Sequence, residues 1–215
     1  MIRVHVFCEG QTEETFVRDV LMEHFARRGI WLNAILVMTG SSSKGGLVSF
    51  GKVHRQIVRK CKEDQSSFVT TLFDYYGLPK DFPAFEVKEN AQYSISQKVQ
   101  HLEKAFTEAV ECQNFIPNFL VHEFEALLFT NTDAFLDYFS AEQVKQLERQ
   151  KSLYESPEDI NDSPSTAPSK RIRQICPSYQ KVIHGPLIAI DTGIDEIRKT
   201  CFRFHQWLIK LEDLT

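Results

Sequence analysis

Glu9 and Asp74 are the residues of this chain whose setting most suggests chemistry. Each carboxylate follows an apolar, β-rich run, Ile2 to Cys8 and Phe68 to Phe73, and each opens a turn. Two carboxylates at one edge of a sheet repel each other. A hard cation with oxygen ligands, such as Mg²⁺ or Mn²⁺, relieves that repulsion and keeps positions open for a phosphate. Two loop acids that cap turns or meet nearby Lys and Arg would give the same local pattern, so both readings stand at this point. A third acidic cluster, His122-Glu123-Phe124-Glu125, follows the run Phe115 to Val121. It is not a zinc-protease motif, because Ala126 stands where the second histidine belongs. In an extended chain Glu123 and Glu125 face one side, whereas in a helix they lie about 200° apart. A strand that ends at Val121 makes Glu123 the nearer candidate and holds Glu125 in reserve, with His122 as a supporting or capping group.

Groups that could contact phosphate lie elsewhere. The loop Gly40 to Gly46 carries Lys44 and could cradle an anion through its backbone N–H groups, although it lacks Walker A spacing. Lys170 and Arg171, with Arg173, add positive charge at a helix start. There is no Gly-x-Ser-x-Gly elbow, and the first turn lacks the GxGxxG of dinucleotide-binding folds. Cys8 beside Glu9 reads as a buried structural thiol.

Periodicity supplies the elements that would hold these groups. After the first run, Phe16, Val17, Val20, Leu21 and Phe25 mark a helix with Thr12 as its predicted N-cap, and Glu13 and Glu14 read as favourable charge in its first turn. Strands are expected at 32–38, 68–73 and 115–121, with helices around Val53 to Val58 and from Gln92 to Gln113. Residues 133–151 read as helical and 156–169 as a polar loop long enough to be a binding loop. Pro186 to Ile190 fits either a fifth strand or a short buried helix. Strands alternating with helices predict a parallel sheet, whose carboxyl ends share the rim where ligands bind.

The composition suits one domain over 1–215, with 132–215 as a helical elaboration packed on the α/β core. The hydrophobic fraction is 42% and there are 17 Phe, enough for a continuous core. The formal charge of -4 argues against broad electrostatic capture of nucleic acid but leaves room for a local basic groove or a bound cation. Five scattered cysteines without zinc spacing read as reduced thiols, and no apolar run approaches the roughly 20 residues of a membrane span. A cytoplasmic protein with no membrane contact is therefore expected.

Five segments spread over nearly the whole chain carry a family resemblance: VFCEGQTEETFV at 6–17, TLFDYYGLP at 71–79, FIPNFLVHEFEALLF at 115–129, PEDINDSPSTAPSKRI at 157–172 and KVIHGPLIAIDTGIDEIR at 181–198. In these the chain resembles a bacterial family of the Toprim-like group, domain-of-unknown-function family 4276. The resemblance implies a Toprim-like three-layer α/β fold with a mainly parallel central sheet and a helical C-terminal elaboration. It also implies divalent-cation phosphoryl-transfer chemistry. Glu9-Gly10 matches the strand-end Glu-Gly of such folds and Asp74 the first acid of their Asp-x-Asp motif, while Tyr76 stands where the second Asp would be. Glu123 or Glu125 would then supply the missing carboxylate. On this basis Glu9, Asp74 and Glu123 are the expected catalytic residues, joined by Glu125 as ligands of Mg²⁺ or Mn²⁺. Lys44, Lys170 and Arg171 are the expected substrate contacts, and Tyr75 or Tyr76 could stack on a base. The implied activity is that of a metal-dependent nuclease or related phosphodiester-processing protein of bacterial phage defence, acting on DNA or RNA, with an ATPase partner and possible homodimerisation. A noncatalytic nucleic-acid-binding or ATPase-partner protein with a degenerate site is the alternative.

Overall fold

The computed structural model describes residues 1–38, 47, 49–160 and 166–215. Lys44 and the Asn161 to Ser165 part of the predicted polar loop lie outside the described residues.

Five parallel strands form the sheet: β1 (Ile2–Cys8), β2 (Ile30–Leu36), β3 (Phe68–Asp74), β4 (Phe115–Ile116) and β5 (Phe119–Leu120). Their order is β2-β1-β3-β4, and β5 also pairs with β3. The two faces of β1 feed two cores, as the period of two dictates. Val4, Val6 and Cys8 join one apolar cluster, and Phe7 joins the other. β3 divides likewise, with Leu72 on the first side and Val69 and Phe73 on the second.

The first face is covered by α1 (Gln11–Phe16), the π-helical turn Val17–Leu21 and α2 (Met22–Ala26), together with the later helices. Thr12 is not the N-cap. Gly10 takes that position with extended backbone, its carbonyl accepts the Glu14 N–H at 3.1 Å, and Thr12 lies buried inside the helix. The second face is covered by α3 (Phe50–Glu63) and α4 (Ile95–Val110), the latter begun by a reciprocal Ser94–Gln97 capping box.

Beyond residue 131 the described residues form helices and turns. The predicted helix over 133–151 is a 3₁₀ turn at Thr132–Phe135 followed by α6 (Ala141–Lys151), which starts at a Ser140–Gln143 capping box; the four-residue α5 (Glu125–Leu128) precedes them. Then come α7 (Pro168–Ile175), α8 (Lys181–Thr192), α9 (Ile194–Thr200) and α10 (Phe202–Glu212). The ambiguous run at Pro186 is thus part of α8. Proline removes the bond to the Val182 carbonyl, but Val182 is exposed, so water can serve that carbonyl. These helices belong to the first core: Ile188, Phe204 and Trp207 share it with Val4 and Val6, and the Trp207 indole donates to Thr70 Oγ1 of β3 at 3.0 Å. No helix among the described residues is long and apolar enough to cross a membrane.

The predicted fourth strand is split by Pro117, which has no N–H for the ladder. Thr71 repairs the gap. Its buried hydroxyl donates to Asn118 O at 2.8 Å and accepts from Asn118 N at 2.9 Å. A Thr71→Val substitution keeps the shape but strands both buried backbone groups, so it should lower unfolding stability by about 1–3 kcal/mol. The urea midpoint checks this, and an unchanged midpoint would deny the hydroxyl its bridging role.

Candidate functional site

Parallel pairing brings three strand ends together. Glu9 follows β1, Asp74 is the last residue of β3, and Glu125 opens α5 just beyond β5, with β1 and β5 both paired to β3. The Asp74 N–H donates to Glu9 Oε2 at 3.2 Å, and the Phe124 N–H donates to Asp74 Oδ1 at 3.0 Å. The turn after β3 folds back over Glu9. A Cβ on Gly77 would lie 2.5 Å from Glu9 Oε1, so any side chain there would push that carboxylate out of its present position. His122, at φ 65°, turns the chain after β5, and its carbonyl accepts the Tyr76 N–H at 3.0 Å.

Two participants escaped the sequence reading. Glu13, taken there as ordinary first-turn charge, is 2% exposed and faces the rim. Lys181, the first residue of α8, sends its ammonium among the acids, 3.1 Å from Glu125 Oε2, 3.5 Å from Glu13 Oε1 and 3.6 Å from Asp74 Oδ2. Close packing of α8 on α1 allows this. A Cβ on Gly185 would sit 3.2 Å from both Phe124 Cε1 and Thr12 Cγ2, so glycine lets the helix approach closely enough for Lys181 to reach the rim.

One lysine does not balance four acids. Burial, followed by the Glu13 charge, lifts the Glu9 carboxyl to about 7. Burial lifts Glu125 to about 7 against the pull of Lys181, and it lifts Asp74 well above the usual carboxylate range. Burial alone would depress Lys181, but Asp74, Glu125 and Glu13 outweigh it and hold the ammonium charged. The folded state therefore binds protons more tightly than the unfolded chain, whose glutamates titrate near 4.5. With more protons on the native side, stability must fall as pH rises from about 4.5 to about 7, by on the order of 3 kcal/mol for this coupled group. Denaturation midpoints at pH 5 and pH 8 check this. A protein equally stable at both would lack the charge excess.

The other predicted site residues fare differently. Glu123 accepts from Ser169 N and, at 3.0 Å, from Ser169 Oγ, so both its oxygens serve the N-terminus of α7, while Glu125 is the carboxylate that meets Lys181. Arg171 is held in the scaffold by Thr166 O at 2.6 Å, Gln150 Oε1 at 2.7 Å and the Tyr154 hydroxyl at 2.8 Å. Lys170 is exposed. Tyr75 is buried, and Lys88, also unforeseen, lies 4.5 Å over its ring and donates to its carbonyl at 2.7 Å. Tyr76 is only partly buried.

The donor set at the rim is all oxygen, and the buried Glu13 Oε1 and Glu125 Oε2 accept no well-directed hydrogen bond. That chemistry fits a hard divalent cation. Among the described residues no three His, Cys, Asp or Glu side chains converge at ligand spacing, and the Lys181 ammonium lies 3.1 to 3.6 Å from Glu13, Asp74 and Glu125. A cation can take these carboxylates only if the ammonium withdraws.

Comparison with known proteins bears on the whole chain. The family model described as Domain of unknown function (DUF4276) matches residues 8–212. No curated protein matches. Among solved structures, the C-terminal region of the Burkholderia pseudomallei OLD protein is similar at 14% identity and a TM-score of 0.43, covering 94% of this chain and 97% of that one.

Proposed function

The chain belongs to the DUF4276 family, and from that premise we propose that it is a metal-dependent phosphodiester-processing protein, a nuclease with a Toprim-like rim. The observation that carries the proposal is the surplus of carboxylate over positive charge where β1, β3 and β5 end: the partly buried Glu9 and the buried Glu13, Asp74 and Glu125 against Lys181. Glu9, Asp74 and Glu125 would hold Mg²⁺ or Mn²⁺, with Glu123 beside them. A bound cation there supplies Lewis-acid stabilisation of the phosphate and lowers the pKa of water.

The side chains divide the remaining work. Asp74 orders the site through its bonds to Glu9 and to the Phe124 amide. Glu9, its Oε2 fixed by the Asp74 N–H, would give the cation an oxygen held in place by the end of β3. Lys170, exposed next to the Ser169 that binds Glu123, would meet a neighbouring phosphate of DNA or RNA, and Lys44 is proposed for the same task. Phage defence beside an ATPase is the setting the family resemblance suggests.

Incubation of the purified protein with single- and double-stranded DNA and RNA tests this reading. Cleavage should appear with Mg²⁺ or Mn²⁺ and vanish with EDTA. The Lys181 contacts favour a second reading, in which the ammonium is the site's permanent counter-ion and the protein is a noncatalytic nucleic-acid-binding or ATPase partner. Calorimetry separates the two, because that protein would bind neither cation and would still copurify with an ATPase.

A further inference from the structure

Helix α3 carries five cations, Lys52, Arg55, Arg59, Lys60 and Lys62, against one acid, Glu63. That net of +4 in a chain of formal charge -4 leaves -8 for all the rest. Four of the five cations are exposed and recur at 52, 55, 59 and 62, the spacing that sets side chains along one side of a helix. The buried Val53, Ile57 and Cys61 take the opposite side and pack in the second core. Helix stability does not ask for this arrangement. Lys60 and Lys62 suit the last turn, but Lys52 lies in the first, where the dipole favours acids and α3 has none. Arg59 meets Glu63 at 3.0 Å, but its side chain is 82% exposed, so solvent weakens that pair. The stripe also borders a cleft of about 430 Å³, lined by Lys52, Arg55, Arg59, Gln56 and Met38. Gln56 fixes one wall, accepting the Met38 N–H at 2.9 Å and donating to the Met38 carbonyl at 3.2 Å. Met38 lies just past the end of β2, and the Phe50 N–H that opens α3 donates to Asp81, beyond the turn after β3, at 3.0 Å. The Lys52 end of the stripe therefore lies at the carboxyl end of the sheet, the end that holds Glu9 and Asp74.

We propose that this face of α3 is the track along which duplex DNA reaches the acidic rim, its phosphates meeting Lys52, Arg55, Arg59 and Lys62; that role rests on reading the rim as a phosphodiester-processing site. Charge complementarity names the occupant. From Lys52 to Lys62 the helix rises about 15 Å. One strand of B-form DNA presents a phosphate about every 3.4 Å along the duplex axis, so the stripe spans roughly four phosphates, one for each cation. Long Lys and Arg stems let the charges follow such a row while their heads stay in water. A protein that is acidic on average has no long-range hold on a polyanion, so a single basic face decides how the polymer approaches. Released counterions supply the affinity, and base sequence plays no part in it.

The test measures binding of the full-length chain to a short fluorescein-labelled DNA duplex by anisotropy, in EDTA so that no cleavage intervenes. In the wild type, log K against log salt should fall with a slope of about -3.6 or steeper, the value for four phosphate contacts. Lys52→Gln, Arg55→Gln, Arg59→Gln and Lys62→Gln combined should weaken binding at least about 100-fold at about 50 mM salt and flatten the slope by about 3 to 4. Arg27→Gln, Lys104→Gln, Lys145→Gln and Lys199→Gln combined remove as many exposed charges elsewhere and should leave affinity near that of the wild type. Equal losses in the two variants, or wild-type affinity and slope in the first, would overturn the proposal. A wild type that binds no duplex would overturn it too, and would leave the stripe to an acidic protein surface. Cleavage with Mg²⁺ separates this role from the nuclease reading. A wild type that binds through the stripe but cuts nothing keeps the track and removes the nuclease. A stripe variant that cuts dilute duplex at the wild-type rate removes the track and keeps the nuclease.

Discussion

Asp74→Asn is expected to cut metal-dependent cleavage by roughly 10³-fold, the scale of losing a principal electrostatic contact to a reacting centre. The substitution is nearly isosteric, and an amide oxygen can still accept the Phe124 N–H that Oδ1 accepts at 3.0 Å. The turn after β5 should therefore survive, and the change acts on charge. Asp74 sits between Glu9, through its own N–H, and Lys181, 3.6 Å from its Oδ2. Removing its charge weakens the hold on a cation and frees Lys181 to draw closer to Glu125. Two readouts separate these consequences from simple unfolding. The denaturation midpoint should rise or hold, since a carboxyl lifted well above its usual range costs stability at neutral pH. Mn²⁺ affinity by calorimetry should fall at least about tenfold, a loss of about 1.4 kcal/mol. Glu9→Gln should lose cleavage as well. Wild-type rates in both variants would remove the rim from the chemistry.

The strand ends of this site were readable because local pattern controls them. An apolar run that breaks at a charged residue before a turn marks a strand's end, and parallel order then places Glu9 and Asp74 on one rim without any long-range information. The third strand end was harder. Glu123 and Glu125 differ by two positions, and the choice turned on whether the chain stays extended past Val121. The left-handed His122 and the short α5 redirect it, sending Glu123 toward Ser169 and Glu125 toward Lys181. No periodicity reports such a bend. Glu13 was misread because an acid in a helix's first turn has an ordinary explanation, and the sequence does not reveal that α8 buries it. Lys181 lies 56 positions beyond Glu125 and 107 beyond Asp74, so nothing local connects them. The nearby run Pro186 to Ile190 stayed undecided between strand and helix because its period fits both, and in the structure it is part of α8, where Gly185 packs closely against Phe124 and Thr12.

Lys181→Met carries the largest expected effect on stability. Methionine replaces the stem and leaves no charge, so Glu13, Asp74 and Glu125 lose the ammonium that stands 3.1 to 3.6 Å from them. Breaking a buried pair from one side strands the partner charges, at a cost of about 3–5 kcal/mol near pH 8. The penalty must shrink on acidification. Glu9 and Glu125 already titrate at about 7 with the lysine present, and without it Asp74 and Glu125 take protons more readily still, so by pH 5 these three carboxyls are largely neutral and the need for a counter-ion is much reduced. A divalent cation offers the other remedy. In wild type it must displace the ammonium, whereas in Lys181→Met the carboxylates are unclaimed, so Mg²⁺ should stabilise the variant more than the parent. Saturation at 100 times Kd returns about 2.7 kcal/mol. Denaturation at pH 5 and pH 8, with and without Mg²⁺, tests both halves. If the loss is the same at both pH values, the carboxylates do not depend on Lys181 for their charge; if Mg²⁺ restores neither protein, the rim is a closed ion-pair cluster and the nuclease reading fails with it.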